Sequence, residues 1–300
     1  MARVGVLILG IVVLLFGTLA LAGSAVPGVG RPEHLVESFV VEPGGLLRVV
    51  GVNGRITYET WEGDEVVIEA LQYKPRFFSG LARRLWGETR VAFSQTERGV
   101  QAVVEPPVRH GFFSAVRVEF FVKVPRGWHG DVTLTTSNGA IVASDIHGRV
   151  ALNTSNGAVT VNGHTGTLEV RTSNGALRLS DVHGAVDGRT SNGPITLAGG
   201  TLTGSGQLRT SNGAVELRAR LEEGAGYDVH TSNGAVTVTL VDPDAAVELR
   251  TSNGNINLQA EVKTSVIERG RIVGTIGEGA ARLSVRTSNG SVTLAAVGSN

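Results

Sequence analysis

Arginine recurs at one place in this sequence: directly before a repeated tetrapeptide. Thr-Ser-Asn-Gly occurs eight times, beginning at Thr136, Thr154, Thr172, Thr190, Thr210, Thr231, Thr251 and Thr287. The preceding residue is Arg171, Arg189, Arg209, Arg250 or Arg286 in five repeats, His230 in another, and Thr135 or Asn153 in the first two. Guanidinium groups set at a regular step can grip phosphate or carboxylate polymers, such as lipid headgroups or anionic wall glycans. A plainer chemistry competes. Glu169, Asp187, Asp228 and Glu248 stand two residues before their arginine or histidine. On one strand face such residues form ion pairs that do no more than solvate a sheet.

Two further constellations bear on chemistry. His147 and His183 occupy equivalent places in the repeat, each two residues after an aspartate, Asp145 or Asp181, and His164 is shifted by one residue. One repeat lies between the first two, so they stand about 9–10 Å apart if repeats stack at about 4.8 Å. Zinc ligands must each approach to about 2 Å of the ion, which makes these turn residues rather than a metal site. A polysaccharide-cleaving centre would need carboxylates converging at one irregular place. Here the acids follow the repeat and alternate with arginine, so no catalytic, cofactor or metal residue is assigned.

These residues are positioned by the repeat itself. The threonines are spaced by 18, 18, 18, 20, 21, 20 and 36 residues, a period that marks stacked units. Four and two residues before each threonine, and five and seven after it, the residues are mostly aliphatic, with polar residues between. That alternation predicts two half-buried strands per unit. Asn-Gly alone suits a hairpin turn, but a hairpin gives no reason for Thr-Ser to recur beside it. In a β-solenoid, equivalent asparagines stack and form amide ladders. The expected fold is therefore all-β, a single solenoid with coils of about 18–21 residues. Gly148, Gly166 and Gly184 mark its return corner, where positive φ is often needed. The longer spacings add residues at that corner.

Toward the N-terminus, Val49 to Thr57 already has the strand–Asn-Gly–strand form, with Val52 in the serine place. Between Tyr73 and Trp128 the pattern changes and aromatics gather. Phe77, Phe78, Leu81 and Leu85 have helical spacing opposite Arg83 and Arg84, predicting a short helix over residues 77–86. Phe77-Phe78-Ser79-Gly80 and Gly111-Phe112-Phe113-Ser114 either cap the solenoid or, with Lys74 and Arg76, touch a membrane.

Composition limits the function classes. The 27 basic and 27 acidic residues cancel, so nothing draws the chain globally onto nucleic acid. Cysteine is absent, which excludes disulfide scaffolds and thiolate chemistry. Val4 to Ala22 is an uncharged apolar run after Arg3, and a helix of that length reaches about 28 Å, near the ~30 Å of a bilayer core. It predicts an N-terminal hydrophobic helix acting as an export signal, cut after Ala22 at Ala20-Leu21-Ala22, or kept as an anchor. The expected organisation is signal or anchor at 1–22, linker at 23–34, an N-terminal β portion with the aromatic insertion at 35–130, and the repeat solenoid at 131–300.

The reiterated Thr-Ser-Asn-Gly units, the Phe121-Val122-Lys123-Val124-Pro125-Arg126-Gly127 lead-in and the closing Gly274 to Gly279 segment carry a resemblance. Together they resemble the bacterial "putative-adhesin" β-strand-repeat proteins related to toastrack domains, over roughly residues 46–294. The resemblance implies a β-solenoid on a secreted or membrane-anchored protein, tied to surface attachment or envelope-stress systems, and brings no catalytic residues. The expected function is a non-enzymatic, exported, adhesin-like module whose partners are an anionic envelope polymer, a membrane surface or envelope proteins. A membrane-tethered stress-sensing module and a polysaccharide-cleaving β-helix enzyme are the alternatives.

Overall fold

A computed structural model of the chain describes residues 32–73, 89–105 and 116–298. The apolar run at 4–22, the helix expected over 77–86 and both Phe-Phe segments lie outside the described residues. Within them there are strands and no helices. In chain order these are β1 (Glu33–Phe39), β2 (Leu46–Val50), β3 (Ile56–Trp61), β4 (Val66–Tyr73), β5 (Arg90–Thr96), β6 (Gly99–Glu105) and β7 (Arg117–Pro125). The repeats supply β8 (Asp131–Thr135), β9 (Ile141–Asn153), β10 (Val159–Arg171), β11 (Leu177–Arg189), β12 (Ile195–Leu202), β13 (Ser205–Arg209), β14 (Val215–Leu221) and β15 (Gly226–His230). They continue with β16 (Val236–Val241), β17 (Ala245–Thr251), β18 (Ile256–Gln259), β19 (Lys263–Glu268), β20 (Arg271–Ile276), β21 (Ala281–Thr287) and β22 (Val292–Val297). All belong to one 22-stranded sheet.

The repeat period becomes the register. Val159 of β10 pairs in parallel with Ile141 of β9 on one side and Leu177 of β11 on the other. Equivalent residues thus stack, and each apolar place in the repeat becomes a column along the axis. The column five residues after the threonine holds Ile141, Val159, Leu177, Ile195, Val215, Val236 and Val292, all buried. Burying such a side chain contributes about 1.5–3 kcal/mol. These columns, with those two and four before the threonine, form one continuous core.

Side-chain size is matched across layers. Tyr227 sits in a column next to Gly206, where a β-carbon would come within 2.4 Å of its ring. Its hydroxyl crosses a layer, accepting the Val186 N–H at 3.1 Å and facing the Gly184 carbonyl at 3.2 Å. At the N-terminal end the core widens: Tyr58, Phe120 and Trp128 are buried there. Part of the aromatic-rich stretch is therefore core strand and corner.

The return corner has two left-handed places. Gly148, Gly166 and Gly184 have φ of +92°, +128° and +138°, as expected. Three residues earlier, Asp145 and Asp181 also have positive φ, at 51° and 53°, with Gly163 and Gly199 in the equivalent places. The extra residues of the longer repeats appear at this corner as a register shift between Ala198 and Thr201.

Layer order departs from chain order at both ends. The last repeat, β21–β22, does not follow β17–β18 along the axis but lies between it and β15–β16. The 36-residue spacing before Thr287 contains the β19–β20 hairpin, and β20 lies antiparallel on β17 as a cap. Asp244 Oδ1 accepts the N–H groups of Glu278, Gly279 and Ala280 at 2.8, 2.6 and 3.1 Å, holding the turn between β20 and β21 against the start of β17. The N-terminus mirrors this. β2–β3 lies between β6–β7 and the layer of β8 and β9. Antiparallel β5 covers β6, while β4 and then β1 cover β7. The solenoid of stacked coils is thus confined to the middle.

Candidate functional site

The repeated tetrapeptide is first a structural device, and each residue has its own task. Every threonine is buried. Its hydroxyl donates to the glycine carbonyl of the preceding layer at 2.8–3.2 Å, from Thr136→Gly54 through Thr287→Gly234 and Thr251→Gly290. In seven repeats it also accepts the N–H of its own glycine at 3.0–3.3 Å. The serine acts through its backbone: its carbonyl accepts two N–H groups of the next layer, as Ser155 does from Ser173 and Asn174. Nothing in the structure explains its exposed side chain.

The asparagines form an amide ladder, each Nδ2 donating to the Oδ1 of the preceding layer at 2.6–2.8 Å. Its order is Asn53, Asn138, Asn156, Asn174, Asn192, Asn212, Asn233, Asn289, Asn253, which repeats the layer order. The glycine is required by proximity. A β-carbon on Gly175 would lie 1.8 Å from the Gly157 carbonyl oxygen.

The ladder turn places the residue before each threonine on the outer face, one per layer. Register puts these in the order Arg171, Arg189, Arg209, His230, Arg286, Arg250, and antiparallel pairing adds Arg271 beside Arg250. The step is the strand spacing, about 4.8 Å. Arg271 escapes sequence reasoning because it arrives on a strand of opposite direction; the long last spacing is the only signal of such a strand.

Carboxylates occupy part of this row. Arg189 makes a two-pronged contact with Asp187 at 2.9 and 2.9 Å, and Arg171 meets Glu169 at 2.8 Å. Glu248 holds Arg250 at 2.8 Å and Arg271 at 3.2 Å. Its hydrogen bond from Arg250, with that from Arg271, holds the Glu248 carboxyl below the ordinary range. Among the described residues, Arg209 and Arg286 have no carboxylate partner, because Gln207 and Ser284 stand where the others have acids. They flank His230, whose pKa is lowered by burial first and then by both guanidiniums. The centre of the row is therefore a gap in the ion pairing, where two arginines lack a direct carboxylate contact and Asp228 stands in the layer between them.

Beside that gap lies a concavity of about 590 Å³ lined by Asp187, Ser205, Gly206, Gln207, Gly226, Tyr227, Asp228, Arg282 and Ser284. Glycine at 206 and 226 strips side chains from its floor. The lining is rich in hydrogen-bonding groups of both kinds.

The histidines divide. His147 and His183 stand on the surface with Thr165 between them in register, and His183 meets its own Asp181 at 3.0 Å. His164 turns inward, in the column of Ile146 and Val182, and is buried. Its Nδ1 bonds the Ile146 carbonyl at 2.9 Å, its Nε2 has no partner, and burial lowers its pKa. It does not join the surface pair.

A family model described as Toastrack DUF4097 matches residues 93–295. No curated protein matches the chain. Among solved structures, the chain is similar to a "putative cell adhesion protein" from Clostridium sporogenes, at 10% identity and TM-score 0.29, covering 89% of this chain and 100% of that one. A "putative adhesin" from Bacteroides fragilis matches at 10% identity and TM-score 0.35, with 87% and 97% covered. A "putative lipid binding protein" from Parabacteroides distasonis matches at 12% identity and TM-score 0.34, with 88% and 97% covered.

Proposed function

The chain belongs to the Toastrack DUF4097 family, and we propose that this member is a non-enzymatic, exported module whose arginine row binds an anionic polymer of the cell envelope. The observation that carries the reading is the unpaired centre of the row. Arg209 and Arg286 are exposed, lack acid partners among the described residues and lie two layers apart about His230. A polymer with charges at intervals near 10 Å meets both at once. The adjoining concavity, with Asp187, Gln207, Asp228 and Ser284, offers hydrogen bonds to hydroxyl groups between those charges.

The carboxylates support a binding role over a catalytic one. Glu169, Asp187 and Glu248 are engaged with arginines. Glu248 is held in its ionised form, opposite to the raised pKa a general acid requires. Residues 4–22 take the chain across the membrane in this reading, and cleavage after Ala22 or retention as an anchor leaves the row at the envelope.

The test is binding of residues 23–300 to vesicles of anionic phospholipid and to isolated cell wall across a salt series. It is run beside a variant with Arg171, Arg189, Arg209, Arg250 and Arg286 all changed to glutamine. The parent is expected to bind one of the two surfaces, more weakly as salt rises, and the variant to lose it. Most of the loss is expected in the double variant Arg209→Gln/Arg286→Gln, and little in Arg171→Gln/Arg189→Gln. Equal binding by parent and five-site variant sinks the proposal.

A further inference from the structure

The stack is closed at one end and half open at the other. At the N-terminal end, Asn53 is covered: its carbonyl accepts the Val118 N–H at 2.9 Å and its amide reaches the Val116 carbonyl at 3.5 Å. At the C-terminal end, β20 covers β17, with the Gly270 carbonyl accepting the Thr251 N–H at 2.9 Å. The cap stops there. Among the described residues, no strand pairs with the outer edge of β18, and the turn that precedes it has no further layer stacked on it.

What is left unmet can be read from the inner layers of Ser137 through Ser232. There, a serine carbonyl accepts two N–H groups of the next layer, a glycine carbonyl accepts its threonine hydroxyl, and an asparagine Oδ1 accepts its amide. The first residue of the following strand donates its N–H to the next layer, as Val159 does to Ala176 at 2.9 Å. In the last layer, the carbonyls of Ser252 and Gly254 and Oδ1 of Asn253 have no donor among the described residues. The N–H of Ile256 points out with no layer to receive it. Ile256 and Leu258 stand in core columns yet are only half buried.

Two further features mark this edge. The other outer strands carry charge that discourages pairing: Glu33 and Glu37 on β1, Arg90 on β5, Lys263 and Glu268 on β19. β18 reads Ile-Asn-Leu-Gln and has none. A concavity of about 400 Å³ lies over the turn, bounded by Ser252 to Ile256 on one side and Ile267 to Gly270 on the other, with Ile267 73% exposed.

We propose that this half-capped end is a strand-addition site for a polypeptide segment of the form x-Asn-Gly-x-apolar-x-apolar, supplied by a partner protein. Such a segment repeats the part of the inner-layer interface that follows the threonine, whose place over Thr251 is taken by Gly270 of the cap. Its amide meets Asn253, two backbone N–H groups meet Ser252, and its apolar residues cover Ile256 and Leu258. Its glycine is obligatory, because each inner glycine would place a β-carbon 1.6–1.9 Å from the carbonyl before it. Head-to-tail stacking of this chain on itself is blocked, since the covered N-terminal end presents no uncapped unit of this form. The site is distinct from the arginine row and stands whether or not the row binds a polymer.

The experiment uses the full chain and a labelled synthetic peptide with the sequence of Ser232 to Val241, read by fluorescence anisotropy, beside the same peptide with its glycine replaced by alanine. Saturable binding is expected, at least about tenfold weaker for the alanine peptide. Ile256→Pro removes the outward N–H, at a place where an edge strand tolerates proline, together with a half-buried side chain, and is expected to abolish binding with only a small fall in melting temperature. Should that variant fail to fold, Ile267→Lys, on an exposed side chain, is expected to weaken binding by placing charge at the rim. Equal binding of the two peptides, or no binding, overturns the proposal. So does dimerisation of the chain alone that Ile256→Pro removes, because the occupant is then a second copy.

Discussion

Two histidines of this chain have lowered pKa values, yet a fall in pH is expected to favour binding at one and to cost stability at the other, and each effect follows from what surrounds the ring. His230 lies between Arg209 and Arg286 and is held neutral by burial and by their charge. An anion bound across the two arginines cancels that repulsion and raises the histidine pKa, so binding takes up a proton. Polymer binding is expected to tighten as pH falls from about 7 to 5, and His230→Gln to flatten that dependence in the vesicle or cell-wall assay. His164 is buried, and burial outweighs the Ile146 and Gly166 backbone carbonyls that favour its charged form. Its lowered pKa means stability is fully present above the unfolded value near 6.5 and declines as pH falls below it. Denaturation midpoints measured from pH 7 to 5 should fall for the parent and fall less for His164→Val, which copies Val182 in the same column. A flat parent profile counts against this account. The arginine row was legible in the sequence because it shares the phase of the repeat. The inward turn of His164 was not, because a shift of one residue across a left-handed corner exchanges inside for outside.

The turn element rests on three side-chain facts that weigh differently. Thr172 joins two layers through one hydroxyl, donating to Gly157 at 3.0 Å and accepting from Gly175 at 3.1 Å. Thr172→Val keeps the shape and leaves two buried backbone groups unmet, at a cost of about 1–3 kcal/mol. Gly175→Ala is expected to cost more than about 3 kcal/mol, since the added carbon would meet a carbonyl at 1.8 Å and neither layer can retreat without parting the stack. Gly127→Ala, where nothing lies within 4 Å, serves as the control and should be near neutral. Urea denaturation of the three variants checks the order. Stacked asparagines and two strands per repeat follow from the recurrence of Thr-Ser beside Asn-Gly. The reason for glycine does not. Asn-Gly suggests a residue chosen for positive φ, whereas here the glycine of the turn serves close approach between layers, a contact between residues 18 or more apart that no local pattern records.

At the scale of the molecule, the layer order makes the C-terminal repeat an internal one. Stability in a solenoid is close to a sum of layer and interface terms, so removing a terminal layer normally peels the end and leaves the rest. Here β21–β22 lies between β15–β16 and β17–β18. A chain ending at residue 280 lacks an inner layer: β17 and β18 lose their parallel partners and keep only the β19–β20 hairpin. A chain ending at residue 242 is shorter and keeps every interface among the layers it retains, losing only the outer contacts of β15 and β16 with β21 and β22. Both truncations therefore keep the same stacked layers through β15–β16, and residues 243–280 are expected to add no protection to them. Amide hydrogen exchange should show fast exchange throughout 245–280 in the longer truncation, and slow exchange up to β14, one layer inside the new edge, in the shorter one. Slow exchange over 245–280 in the longer chain would mean that β17–β18 docks directly onto β15–β16, closing the gap by slipping one layer. The repeats are alike enough for that slip to be the competing outcome: Thr251 and Thr287 make the same bond to a glycine carbonyl, at 2.8 and 2.9 Å. What distinguishes the two arrangements is the hairpin. With β20 fixed antiparallel to β17 and Asp244 holding residues 278–280, the chain leaves the cap already aimed at the inner side of β17, where β21 lies.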